Sequence, residues 1–207
     1  MSRLYIRGPR SLRPYHVFNQ GSKRGRRSPR PIFIDREDKR YFLGLLARHL
    51  GLNPSKDSRG RAFQHLREKI VLLAFNVMAT HFHLIVWQRD EQGIAELMNR
   101  VKAAYTRYFN DKYGDTGPLS NGPVQAKPIT SKSYFRWLVG YVHKNHRSDE
   151  WYEFSSHRAW VDESARPGWL SPQPAIAVFG SIDDYIDYLA KYDDKIALDK
   201  EFGHRRS

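Results

Sequence analysis

The chain has 207 residues, no cysteine, and 35 lysines and arginines against 22 aspartates and glutamates, a formal net charge of +13. That length suits one domain with a real core, and 40% hydrophobic and 14% aromatic content excludes a disordered polymer. The missing cysteines exclude thiolate metal sites, cysteine nucleophiles and disulfides, and the absence of any apolar run of about 18 residues excludes a transmembrane helix.

The N-terminus "MSRLYIRGPRSLRPYHVF" is basic but has no apolar signal-peptide core, so a cytoplasmic protein is expected. No acidic residue precedes Asp35, whereas Arg3, Arg7, Arg10, Arg13, Lys23, Arg24, Arg26, Arg27 and Arg30 all do. Such a field attracts polyanions, nucleic acid being the usual partner. A basic solubilising surface has the same composition. Arg10–Arg30 lacks the amphipathic period of a membrane-surface helix, so no membrane partner is expected.

"RPYHVFNQGS" (Arg13–Ser22) alternates like a first strand, and "KRGRRSPRP" is a basic loop punctuated by Gly and Pro. "DREDKRYFLGLLARHLGL" predicts a helix that buries Phe42, Leu45, Leu46 and Leu50, with Asp35, Glu37 and Asp38 suited to its N-terminus. After the polar stretch "NPSKDSRGRAFQ", "EKIVLLAFNVM" reads as a buried strand. "ATH" turns it into "HFHLIVWQ", the second arm of a hairpin. A helix over about Gly93–Asn110 has Ile94, Leu97, Met98, Val101, Ala104 and Tyr105 as its core stripe. Lys112–Lys132 predicts a long loop with one strand, "PVQAKPI". "YFRWLVGYVHKNH" (Tyr134–His146) is helical on a Phe135, Leu138, Val139 and Val142 stripe. Ser181 caps a last helix, "SIDDYIDYLAKY", with Asp184 completing the start. The order predicts an α+β sandwich, an antiparallel sheet with helices on one face.

His81 and His83 interrupt the apolar run "VLLAFNVMATHFHLIVW" (Val71–Trp87). At i and i+2 of a strand they share a face. That suits a divalent metal, and it is equally compatible with two histidines at a wet sheet end. Ile85 fills the next alternate position, so further ligands must come from elsewhere in the fold. Tyr141 and Asn145, one helical turn apart and off the apolar stripe, offer a nucleophile and a ligand. Gly140, mid-helix, costs about 1 kcal/mol relative to Ala, which is easier to accept if something approaches the backbone beside Tyr141. His143 and Lys144 are basic neighbours, but the helical period turns His143 about 200° from Tyr141.

"VMATHFHLIVW", "LMNRVKAAYTRYFN" and "YFRWLVGYVHKN", in that order, resemble the single-tyrosine HUH transposases of the IS200/IS605 type, most of all the REP-associated tyrosine transposase branch. "RPYHVFNQGSKRG", "IFIDREDKRYFLGLL" and "EFSSHRAW" are similar to that branch too, so the resemblance runs from about Arg13 to Tyr192. It implies a ferredoxin-like antiparallel sheet with helices packed on it, the HUH endonuclease sandwich, as one domain over 1–207. The core would span about 13–160 and a C-terminal helical extension about 161–207, with a basic N-terminal arm in front. It implies Mg2+ or Mn2+ held by His81, His83 and Asn145, and Tyr141 as the nucleophile that cleaves hairpin-flanked single-stranded DNA through a 5′-phosphotyrosine. A monomer or a homodimer fits the resemblance.

The chemistry agrees with those residue types. Phosphoryl transfer needs charge neutralised on the non-bridging oxygens and an in-line nucleophile. A free phenol, with a pKa of about 10, is only about 0.1–0.3% ionised near neutrality. For DNA contacts the expected residues are Arg24, Arg26, Arg27, Arg107, Tyr108 and Lys144, and Trp87, Trp137 and Trp151 are further stacking or core candidates. Tyr105 and Tyr108 compete with Tyr141 as tyrosines. Three features depart from the family pattern. Ala79-Thr80 stands where Pro-Asn is usual, His146 stands where Pro is usual, and "GPLSNGPVQAK" lacks the Trp and Arg of the corresponding loop. The alternative function is a non-cleaving binder of structured single-stranded DNA or RNA with the same fold.

Overall fold

Four strands, β1 (Pro14–Gln20), β2 (Ile70–Val77), β3 (His81–Gln88) and β4 (Gln125–Pro128), form one antiparallel sheet in the order β2-β3-β1-β4. A computed structural model describes residues 13–23, 25, 28–53, 55–120, 122–144 and 152–192. Helices α1 (Arg36–Leu50) and α2 (Gly93–Tyr113) connect the strands in a β-α-β-β-α-β sequence, the ferredoxin-like sandwich. Beyond it come α3 (Lys132–Lys144), α4 (His157–Val161), α5 (Gln173–Phe179) and α6 (Ile182–Ala190). No helix among the described residues is long and apolar enough to cross a membrane.

The expected strands and long helices are all present, with α2 running three residues past its predicted end. Gly114 stops it there, taking the left-handed conformation (φ 58°) as C-cap. Asp35 caps α1 in a reciprocal box with Asp38, and Ser181 caps α6 by accepting from Asp184 N. The short helices α4 and α5 have no counterpart in the sequence reading. Five and seven residues carry too little periodicity to stand out.

The expectation of helices on one face is corrected. Successive β3 side chains alternate, and Phe82, Leu84 and Val86 join α1 and α2 in one core. Ile85 joins α3, α5 and α6 in a second core on the opposite face. The register of β2 shifts between Leu72 and Ala74, which lets Leu72 and Phe75 enter the first core while Leu73 and Ala74 enter the second.

Asp38 is fully buried and ties α1 to α2, accepting from Ile34 N, Tyr108 Oη, Tyr113 Oη and Lys112 Nζ. On α3, a Cβ at Gly140 would fall 2.4 Å from Cδ2 of the Tyr192 ring, so the approach beside Tyr141 is made by the chain just after α6. Gly140→Ala is therefore expected to destabilise the protein by about 1–3 kcal/mol through overpacking. In a Tyr192→Ala background the same change should stabilise by up to about 1 kcal/mol as helix propensity takes over. Urea unfolding of the four-member cycle checks this, and additive effects would contradict the contact.

Candidate active site

β3 sets the site. Its odd residues leave the α1/α2 core, so His81 and His83 lie on the face that α3 covers. His83 sits between Asn76 of β2 and Phe18 of β1 in register. The His81 and His83 rings are 5.0 Å apart, edge to face. The Tyr141 ring stands 5.2 Å from the His83 ring, also edge to face. Tyr141 is itself stacked on Trp137, which stacks on Tyr134, so one side of α3 carries a ladder of rings.

The position of α3 is set by buried polar groups. Asn76, fully buried in β2, donates from Nδ2 to Val142 O at 2.7 Å, next to Tyr141. His143 turns away from the site as the helical period predicts, bonding Tyr185 Oη through Nδ1 and Ser156 Oγ through Nε2, each at 2.8 Å. His157 Nδ1 meets the same Tyr185 oxygen at 2.6 Å. His143 is thus sealed behind α3 and gives no help to the Tyr141 phenol.

Both paired histidines are held through Nδ1. Thr80 Oγ1 lies 2.9 Å from His81 Nδ1, and His16 Nε2 lies 2.9 Å from His83 Nδ1. Where Pro-Asn was the usual dipeptide, Thr80 thus supplies a side-chain oxygen to His81. Ala79 O accepts from Ile32 N and Phe33 N, and Thr80 O accepts from Gly21 N. Burial lowers the pKa of His16 to about 3, with Lys127 adding to the effect. His83 is also held well below its ordinary value, by burial first and then by His16 and His81. Both rings are neutral near pH 7, the state that binds metals. Among the described residues His83 Nε2 is buried without a hydrogen-bond partner, an atom for which a cation is a natural complement. The two imidazoles therefore fit one side of a divalent-metal site. Among the described residues no group of three or more His, Asp or Glu side chains could hold a metal, and Asn145 lies outside the described residues.

The expected DNA contacts separate. Lys144 is exposed at the end of α3. Arg107 is exposed on α2, across the sheet from His83. Tyr108 faces α1, its hydroxyl on Asp38 at 3.1 Å and its ring stacked on Tyr41 at 3.9 Å. Both were expected at the DNA interface, and the sheet divides them from the histidines because α2 packs on its other face. Arg24, Arg26, Arg27 and Trp151 lie outside the described residues. Trp87 is 38% exposed and shares the His81/His83 face of β3, whereas Trp137 is buried under Tyr141.

Sequence reasoning missed His16 and Asn76. Each is a polar residue in an apolar strand, "PYHVF" and "LLAFNVM", and at period two each falls on the face of the histidine pair. That was the available signal.

Residues 62–145 match the family model described as "Transposase IS200 like". Among solved structures, the chain is similar to a REP-associated tyrosine transposase bound to a REP hairpin, with TM-score 0.51 and 14% identity over 83% of this chain and 92% of that one. It also matches a bacterial tRNA(His) guanylyltransferase-like protein in complex with ATP, at TM-score 0.37 and 17% identity over 68% of this chain and 62% of that one, which is too remote to bear on function. No curated protein matches the sequence.

The buried histidines make acid stability a test of this geometry. Each takes up a proton in the unfolded chain below its ordinary pKa of 6.5 but not in the folded one. Stability is therefore complete above that pH and is lost as pH falls below it. For metal-free protein we expect the unfolding free energy in urea to drop between pH 7 and pH 5, with His16 contributing about 2 kcal/mol of the loss by pH 5. His16→Gln should remove that share, and an equal drop in the variant would contradict the assignment.

Proposed function

We propose that the chain, whose residues 62–145 match the IS200-like transposase family model, is a transposase of that family and acts as a metal-dependent endonuclease and strand transferase for hairpin-flanked single-stranded DNA. The observation that carries the proposal is the juxtaposition of Tyr141 with His83 at 5.2 Å and of His83 with His81 at 5.0 Å. A phenol facing one of two paired imidazoles is the arrangement that phosphoryl transfer to a tyrosine calls for.

In this scheme Tyr141 is the nucleophile. Its oxygen forms the new bond to phosphorus while the bond from phosphorus to the 3′ oxygen breaks. The phenol proton is lost and the departing 3′ oxygen gains one. The product is a 5′-phosphotyrosine and a free 3′-hydroxyl, and the phosphodiester energy is retained for rejoining without a nucleotide cofactor. Mg2+ or Mn2+ held by His81, His83 and Asn145 would neutralise the charge on the non-bridging oxygens. Because the three side chains are neutral donors, they leave that positive charge undiminished.

Packing of Tyr141 on Trp137 and His83 limits its rotamers and supports an aligned attack. Lys144, exposed one residue short of Asn145, contributes a phosphate contact, and Arg24, Arg26 and Arg27 belong to the basic arm proposed to track the backbone. Trp87 offers an exposed ring for a base on the same sheet face.

Labelled single-stranded hairpins incubated with the protein and Mn2+, then run on a denaturing gel, test the proposal. Wild type should give cleavage and an SDS-resistant adduct that EDTA abolishes. Tyr141→Phe should lose at least about 1,000-fold in rate and all adduct, and His83→Ala about 10–100-fold through weaker metal binding. An undiminished adduct in Tyr141→Phe would move the chemistry elsewhere. Tight hairpin binding without any adduct would establish the non-cleaving binder instead.

A further inference from the structure

His16 has no part in the scheme above, yet it is buried in the sheet and its ring nitrogen lies at hydrogen-bond distance from His83. β1 and β3 pair Phe18 with His83 and His16 with Ile85, so His16 lies one position along from His83 on the same face. The two rings sit 5.0 Å apart at 28°, with His16 Nε2 2.9 Å from His83 Nδ1. Two neutral imidazoles share a single proton in such a bond, so one of two tautomer arrangements must hold. If His16 Nε2 donates, His83 carries its proton on Nε2, a buried atom that has no hydrogen-bond partner among the described residues. If His83 Nδ1 donates, the bare lone pair falls on Nε2, and no buried N–H is stranded.

We propose that His16 is a positioning residue for His83: its Nε2 accepts the His83 Nδ1 proton and so fixes the tautomer and ring orientation that present His83 Nε2 to a divalent cation. The role rests on the reading of His81 and His83 as metal ligands. Ligating histidines commonly donate their second ring nitrogen to such a partner, which orients them and raises their basicity. Histidine suits this place better than a carboxylate. A neutral acceptor survives burial unpaired with a cation, and it adds no negative charge to a site that meets a polyanion. The neighbour of His16 across β4 is Lys127, which points to the same economy of negative charge.

The tautomer is read directly from two-bond proton–nitrogen correlations in metal-free protein labelled with 15N-histidine. His83 is expected to carry its proton on Nδ1, and a proton on Nε2 overturns the proposal whether or not any variant folds. Mn2+ alone, titrated by electron paramagnetic resonance, is the second readout. His16→Phe, which keeps a ring but no acceptor, should weaken Mn2+ binding about 10–100-fold. His16→Gln, whose amide oxygen can accept the same proton, should restore most of it. Thermal melts of each variant establish that it is folded. Unchanged Mn2+ affinity in a folded His16→Phe overturns the proposal. His81→Ala separates the two levels: if it binds Mn2+ as wild type does, the metal site itself is misassigned, whereas a loss there with no effect in His16→Phe removes only the role of His16.

Discussion

The site depends on one constraint, the two-residue alternation of β3. Phe82, Leu84 and Val86 are locked into the core that α1 and α2 build, each 5% exposed or less. With those fixed, His81 and His83 have only the opposite face, and a one-residue slip would bury the histidines in the wrong core. The strand therefore works as a ratchet that couples hydrophobic burial on one side to the presentation of imidazoles on the other. The first core supplies the burial, and the second face carries the proposed chemistry.

Bringing Tyr141 to those imidazoles requires a helix over the same face, and a helix there must bury polar backbone and side chains. The protein meets this with hydrogen bonds rather than with apolar filling alone. Asn76 catches the carbonyl of Val142, and Ser156, His143, Tyr185 and His157 are linked in a hydrogen-bonded chain behind α3. Trp160 closes the same core by donating from Nε1 to Leu73 O. Polar groups of this kind hold one helix placement over its neighbours because each loses a partner if the helix shifts. Tyr185 shows the depth of the environment, since burial pushes its phenol far above the ordinary range. Tyr105, by contrast, spends its hydroxyl on Ile32 O in the first core, on the far side of the sheet from the histidines.

Much of this was legible in the sequence because it rests on local periodicity. The period of two in "HFHLIVW" placed the histidines on a shared face, and the 3.6 period of "YFRWLVGYVHK" put His143 away from Tyr141. Asp35 and Ser181 announced their caps. Three things were not legible, for physical reasons. The second helical layer depends on α4 and α5, too short to show a pattern. The separation of Tyr108 from the site depends on which sheet face α2 covers, a tertiary choice that an isolated amphipathic helix does not record. Gly140 signalled a close approach, but its partner, Tyr192, lies 52 residues on and could be identified only from the folded chain.

Tyr141 is the residue proposed to bond to DNA. The most direct test is peptide mapping by mass spectrometry of the SDS-resistant adduct after nuclease trimming and proteolysis. A nucleotide is expected on the peptide that contains Tyr141, with Tyr105 and Tyr108 unmodified. A nucleotide on either of those tyrosines, or on none, would contradict it.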